Sequence, residues 1–202
     1  MPGSELMSPL VDALSRHRSE TAAETDDVER VRSLLSSADD PWHRSTPLHL
    51  TVSAAIVHPP TRRVLLRWHV RQQAWLLVGG HADQGETDPM VVALREGQEE
   101  TGLTDLTPWP TRDARDARDA RDARDAAPIV HVVVVPVAPN ATEPAHEHAD
   151  LRFVLATDTP DAIRLENPTA ELRWLSVPEA VATATKPNIR ETLSRVGRLL
   201  GD

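Results

Sequence analysis

The chain has 202 residues, 40% hydrophobic and 26% charged, which suits one domain of ordinary size plus an appendage. Its net charge of −9 argues against stable nucleic-acid binding, because neutralising a phosphate backbone needs a basic surface. There is no Cys, which excludes disulfides and thiolate metal sites and suits a reducing compartment.

No basic segment followed by an apolar core opens the chain, so no signal peptide is expected. The longest apolar stretch, Ile129 to Ala138, is too short to span a bilayer and contains His131 and Pro136. A cytoplasmic protein without a membrane partner is the expectation. In chain order, Pro9 to His17 and Asp26 to Leu35 carry helical periodicity, with Asp26 and Asp27 placed as N-terminal caps of the second segment. Residues 1–45 read as a helical N-terminal extension, either a surface cover or arm, or a lid or dimer contact. Residues 46–202 read as the main domain.

From His49 the pattern becomes strand-like. Leu50 to His58 leads through Pro59-Pro60 into Arg63 to Trp68, a hairpin signature with a longer loop. Trp75 to Val78 is a short apolar run ending in Gly79-Gly80, and a helix follows. Arg-Asp-Ala then repeats five times over 112–126, with no net charge. A period of three fits neither strand nor α-helix, so the repeat reads as a surface loop inserted in the domain. Ile129 to Val137, Leu151 to Thr157 and Glu171 to Leu175 read as strands, and Val177 to Ala184 and Ile189 to Leu200 as helices. The fold class is α/β, a mixed sheet flanked by helices.

The helix after the glycines holds the chemistry. Thr87 or Asp88 suits the N-cap, Pro89 the first helical position and Gly102 the left-handed position that ends it. Glu96, Glu99 and Glu100 stand at i, i+3 and i+4, on one helix face, where like charges repel. Such a face is either solvated or holds a divalent cation. Oxygen-only donors would select a hard ion, Mg²⁺ with Mn²⁺ as the alternative. The glycine-rich turn lets backbone approach a ligand without Cβ interference, which favours the cation and a polyphosphate beside it.

These residues resemble the Nudix box, G-x5-E-x7-R-E-U-x-E-E-x-G-U with U aliphatic. Gly80, Glu86, Arg95, Glu96, Glu99, Glu100, Gly102 and Leu103 stand at its fixed positions. The sequence departs twice. Eight residues, Thr87 to Leu94, replace the usual seven, which places an extra residue near the loop–helix junction. Gly97 occupies a position that is normally aliphatic, at a helix cost of roughly 1 kcal/mol relative to Ala.

The resemblance implies an α/β/α sandwich and Mg²⁺-dependent hydrolysis of a diphosphate linkage. The substrate would be a nucleoside diphosphate derivative: a nucleoside triphosphate, an oxidised nucleotide or a nucleotide sugar such as ADP-ribose. It implies Glu99 and Glu100 as chief metal ligands and Glu96 as a ligand or its neighbour. Arg95 would fix a carboxylate, and Gly80 would offer backbone to metal or phosphate. It also implies a small-nucleotide partner and is compatible with a homodimer. A non-catalytic nucleotide-sensing module is the alternative, and retention of three repelling carboxylates speaks against it.

Outside the box the candidates are more open. Arg67, His69, Arg71 and Arg152 are candidate phosphate contacts, and Trp68 could stack on a base, whereas Trp75 suits the core. Glu143, Glu147, Glu166 and Glu171 are candidate general bases. His131, His146 and His148 form a second constellation, in which His146-x-His148 on an extended segment would aim both rings to one side. Without a third ligand of known proximity, that segment reads as a solvated loop.

Overall fold

The computed structural model describes residues 8–110, 128–165 and 169–201. The Arg-Asp-Ala repeat and Glu166 lie outside the described residues. No helix among the described residues is long and apolar enough to cross a membrane.

Strand β1 (Leu48–His58) is the spine. Along one edge it runs parallel to β7 (His146–Ala156), in register from Leu48↔Glu147 to Val57↔Ala156. Its other edge is shared by two antiparallel partners. β2 (Arg63–His69) pairs with Ile56 to His58, and β4 (Val78–Gly80) pairs with Val52 to Ala54. β3 (Ala74–Leu76) and β8 (Leu172–Ser176) extend from β2, while β5 (Thr107–Pro108) and β6 (His131–Val137) pair with β7. The result is a mixed eight-stranded sheet among the described residues.

Alternation along β1 divides the core. Leu50, Val52, Ala54 and Ile56 face one cluster, which takes in helices α1 (Ser8–Arg16), α2 (Ala22–Ser37) and α3 (Pro89–Thr101). Ala55 and Val57 face the other, built with α4 (Val177–Thr183) and α5 (Pro187–Leu200). The C-terminal half of β1 is apolar on both sides because helices cover both faces, whereas His49, Thr51 and Ser53 make the second face polar in its first half. The α/β/α sandwich expected from the sequence is the observed architecture.

Three element expectations change. The run Trp75 to Val78 is not one strand: it divides at Leu77, with β3 on β2 and β4 on β1. β1 and β2 pair over three residue pairs only, so the chain passes from one neighbour to the other across the gap. Asp26 and Asp27 do not cap the second helix. Thr21 does, accepting from Glu24 N at 3.1 Å, and Asp27 instead accepts the Val134 amide of β6 at 3.0 Å. The first helical turn, Ala22 to Thr25, carries no large apolar residue, so hydrophobic periodicity starts too late to mark it. β7 begins at His146 rather than near Leu151, which moves both His146 and His148 from loop to strand.

The N-terminal helices are tied in by more than apolar contact. Glu24 of α2 is fully buried, and its Oε1 accepts from His17 Nε2 (2.9 Å), Arg195 Nη1 of α5 (2.9 Å) and the Val132 amide (3.1 Å). Its Oε2 accepts the Glu20 amide at 2.8 Å. Burial pushes this carboxyl up, but the bonds from His17, Arg195 and the two amides outweigh burial and hold it well below the usual carboxylate range.

Candidate active site

Helix α3 is set by its ends. The Asp88 side chain accepts the Met90 amide at 2.9 Å, Pro89 opens the helix, and Gly102 closes it at φ 71°. Met90, Val92 and Ala93 are buried against the sheet. Gly97 also faces inward. A Cβ there would stand 2.8 Å from Leu106 Cδ1 and 3.4 Å from Leu155 Cδ1, so Leu106 occupies the volume an aliphatic side chain would need. The second departure from the box is thus compensated by packing. The remaining face carries Arg95, Glu96, Glu99 and Glu100 toward the end of β4.

Arg95 organises this face. It donates from Nη1 to Glu96 Oε1 and Glu99 Oε2, both at 2.9 Å, and from Nη2 to the His81 carbonyl at 2.9 Å. Nε lies 3.0 and 3.2 Å from the two Glu86 oxygens, and Nη2 lies 2.9 Å from Glu86 Oε2. A planar guanidinium with five donors can hold several carboxylates at once, which an ammonium cannot do with the same geometry. Glu86 keeps its bonds to Arg95 despite the additional residue between them. Asp83 to Glu86 forms a tight turn around Gly85 (φ 90°), closed by Glu86 N on Asp83 O and by Asp83 N on Glu86 Oε2.

Two adjacent glycines let the helix approach. Gly79 adopts φ 148°, and a Cβ there would lie 2.2 Å from the Val52 carbonyl oxygen, so β4 can pair with β1 only without a side chain at that point. The Gly79 amide donates to Glu100 Oε2 at 3.1 Å. At Gly80 a Cβ would meet the Glu96 carboxylate at 2.7–2.8 Å. Glu96 therefore rests directly on the Gly80 backbone. Arg67 of β2 reaches Glu100 Oε1 at 3.2 Å.

The electrostatics follow from these contacts. Burial raises the Glu96 carboxyl, and Arg95 opposes that rise. The Arg95 bonds lower Glu86, and Glu86 and Glu96 in turn hold Arg95 even more firmly protonated. Glu96 and Glu100 are mostly covered, whereas the Glu99 side chain is 54% exposed.

The other residues proposed from sequence are distributed around the sheet. Trp68 packs with Trp75 on the α4–α5 side, their ring centroids 5.5 Å apart, and Arg173 lies 4.5 Å over the Trp75 ring. His69 accepts the Gln72 amide at 3.1 Å, and burial lowers its pKa. Glu171 pairs with Arg173, Glu147 with Arg30, and Glu143 with Asn140 and Arg71. Arg152 is not a surface phosphate contact. It is buried, donates to Asp150 Oδ2 at 2.8 Å, and also bonds Asn188 O and Thr192 Oγ1 of α5. His131 leaves the histidine constellation as well, bonding Thr192 Oγ1 at 2.9 Å, with burial pushing it down to about 3.

In its place, His49 and His81 join His146 and His148. His49 and His148 are register partners in β1 and β7, and His81 follows Gly80 directly. His49 Nε2 lies 3.1 Å from His81 Nε2, and His146 Nε2 lies 3.2 Å from His148 Nε2. Burial lowers His49, takes His81 down to about 3 and takes His148 to about 4. Sequence reasoning missed His49 and His81 because nothing in their spacing relates positions 32 and 99 residues apart. Only the parallel register of β1 with β7 and the antiparallel pairing of β4 with β1 place them beside His148.

A sequence model of the NUDIX domain matches residues 47–196, most of the chain. The chain belongs to the Nudix family. Membership carries the enzyme class with it, a pyrophosphohydrolase. The fold of this Nudix protein is similar to that of the E. coli dihydroneopterin triphosphate pyrophosphohydrolase, with a TM-score of 0.52 and 18% identity, over 76% of this chain and 96% of that one. It is also similar to a C. elegans Ap4A hydrolase in a binary complex, with a TM-score of 0.53 and 17% identity, over 75% of this chain and 97% of that one. At these identities the likeness is one of fold. No curated protein matches the sequence.

Proposed function

We propose that this Nudix protein hydrolyses a diphosphate linkage in a nucleoside diphosphate derivative and uses Mg²⁺, or Mn²⁺ in its place, to do so. The observation that carries this reading is the seat of Glu96 against Gly80, with Glu99 and Glu100 one turn further along the same face. That puts three carboxylates and a side-chain-free stretch of backbone at one point. The donor set fits a hard divalent ion: it is all oxygen, partly covered, and its repulsion is relieved by two arginines, Arg95 and Arg67, rather than by dispersal into water. Glu99 and Glu100 would be the principal ligands, with Glu96 and the Gly80 backbone completing the set. The ion would supply charge neutralisation of the phosphates and a more acidic water.

The protein's own groups then have separable tasks. Arg95 holds Glu96 and Glu99 in their rotamers, and Glu86 holds Arg95, so these two position rather than react. Arg67, beside Glu100, is the cation on this face that could meet a phosphate oxygen. Glu99, the most exposed carboxylate, stands where substrate and water arrive. Two similar folds named for dihydroneopterin triphosphate and Ap4A are consistent with a phosphate-chain substrate. A small-nucleotide partner and a cytoplasmic setting belong to the same reading, as does a division between a helical extension (1–45) and a catalytic domain (46–202).

The test is a nucleotide panel of triphosphates, oxidised triphosphates, ADP-ribose and dinucleoside polyphosphates, incubated with Mg²⁺ and followed by phosphate release after phosphatase coupling. Turnover of at least one member, abolished by chelator and restored by Mg²⁺ or Mn²⁺, is expected. Binding of a nucleotide without any turnover would instead favour the sensing module.

A further inference from the structure

Across the sheet from the carboxylates, at the N-terminal ends of β1 and β7, four imidazoles meet. We propose that His49, His81 and His148 form a second metal site, distinct from the acidic one, that takes a borderline transition cation of the zinc type. This inference stands on its own geometry and is independent of which nucleotide, if any, is hydrolysed.

One ring nitrogen from each of these three residues lies within 4.8 Å of the other two. The Nε2 atoms of His49 and His81 are 3.1 Å apart. Two imidazoles bound to one tetrahedral zinc at Zn–N distances near 2.0–2.1 Å would have their nitrogens about 3.3 Å apart. That pair therefore already stands at close to ligand spacing, with a nitrogen of His148 within 4.8 Å of both. The tautomer of His49 agrees. His49 Nδ1 faces the Thr46 carbonyl at 2.8 Å, and since a carbonyl only accepts, that nitrogen carries the proton and Nε2 is left as the donor of a lone pair. A backbone carbonyl on the far nitrogen is the usual way a ligating histidine is oriented. His146 is held the same way by Pro144 O at 2.9 Å, and its Nε2 lies against His148, which makes it a fourth imidazole adjoining the site.

The donor type separates this site from the first. An imidazole-only set suits Zn²⁺, Co²⁺, Ni²⁺ or Cu²⁺ and is poor for Mg²⁺. Its ligands come from three different strands or strand ends, so an ion there would pin the exit of β4 to β1 and β7. That exit is the backbone on which the acidic site leans, through Glu96 on Gly80 and Arg95 on the His81 carbonyl. The site would thus act as a structural clamp behind the carboxylates.

The experiment uses the full chain, stripped with chelator and titrated with Zn²⁺ and, separately, with Co²⁺. One equivalent of Co²⁺ should bind with the visible absorption of a nitrogen-ligated, low-coordinate ion, and Zn²⁺ should displace it and raise Tm. His81→Ala and His148→Ala should each weaken this nitrogen-ligated binding at least about tenfold, while Glu100→Gln should keep the nitrogen-ligated absorption. If the histidine variants fail to fold, side-chain ¹⁵N NMR of the parent serves in their place. Zn²⁺ should shift the ring nitrogens of His49, His81 and His148 and leave those of His58 and His69 unmoved. Co²⁺ that shows only an oxygen-ligated spectrum, that is lost in Glu100→Gln, or that leaves those three rings unshifted would overturn the proposal.

Discussion

The two faces of the β4 exit solve the same problem in opposite ways. On one face Glu96, Glu99 and Glu100 are crowded together with the guanidinium groups of Arg95 and Arg67 among them, and Glu99 opens to water. On the other face His49, His81 and His148 are packed so closely that burial lowers their pKa values and favours the neutral form. Crowded like groups are tolerated either by supplying the opposite charge or by withholding the proton. The two strategies leave different donor chemistry behind, hard oxygen on one side and imidazole nitrogen on the other.

The largest effect expected on the acidic face is that of Glu100→Gln. It removes a charge while keeping size, so activity in the presence of Mg²⁺ should fall on the order of 10²-fold or more, since even outer groups at metal sites cost 10–100-fold. Tm should stay close to that of the parent, and unchanged turnover would remove Glu100 from the site. Arg95→Lys is next. An ammonium cannot reproduce the fork that holds Glu86, Glu96 and Glu99 together, so a loss of roughly 10–100-fold is expected with the fold intact.

The neighbouring glycines offer a sharper contrast. Gly79→Ala would drive a Cβ into the Val52 carbonyl at a positive φ, and should destabilise the protein by about 3 kcal/mol or more, seen in urea unfolding. Gly80→Ala presses only on the end of the Glu96 side chain, which can move aside. Stability should change little while activity drops. Equal destabilisation by both substitutions would contradict the different roles assigned here.

Acid should weaken the molecule in two stages. His81, His131 and His148 have folded pKa values of about 3, 3 and 4 against 6.5 for the free side chain, so the unfolded chain binds more protons below about pH 6.5. The stability held by their neutral packing is complete above that pH and is lost progressively as pH falls toward those folded values. Glu24, with its folded pKa below the free value of 4.5, adds a further loss below that pH. Calorimetric Tm should therefore decline already between pH 6.5 and 5, and a flat profile there would count against the buried neutral imidazoles. The smallest effect is that of Gly97→Ala. A gain of about 1 kcal/mol in helix propensity is set against displacement of the Leu106 methyl, so the net change should lie within about 1 kcal/mol by denaturant titration.

The acidic helix was readable from the chain because its information is local. N-cap, Pro89, the i, i+3, i+4 carboxylates and Gly102 all lie within fifteen consecutive residues, and helical geometry alone converts that spacing into a face. Most strands were legible from β-branched runs, and a mixed α/β fold followed from their order, but the run Trp75 to Val78 divides into β3 and β4, and the short β5 carries no such signal. Element starts were less so: α2 opens on a polar turn capped by Thr21, and β7 opens on His146-Glu147-His148, where polarity imitates a loop.

What sequence alone determined was thus a run of strands and helices with a carboxylate face on one helix, since short-range stereochemistry sets both, and the resemblance of that helix to the Nudix box implied the sandwich. Tertiary structure decided the rest. It decided that Arg152 is a buried partner of Asp150, that Leu106 fills the space left by Gly97, and that His49 and His81 stand beside His148. Such contacts depend on the register of strands far apart in the chain. A shift of one residue there would turn every side chain to the opposite face.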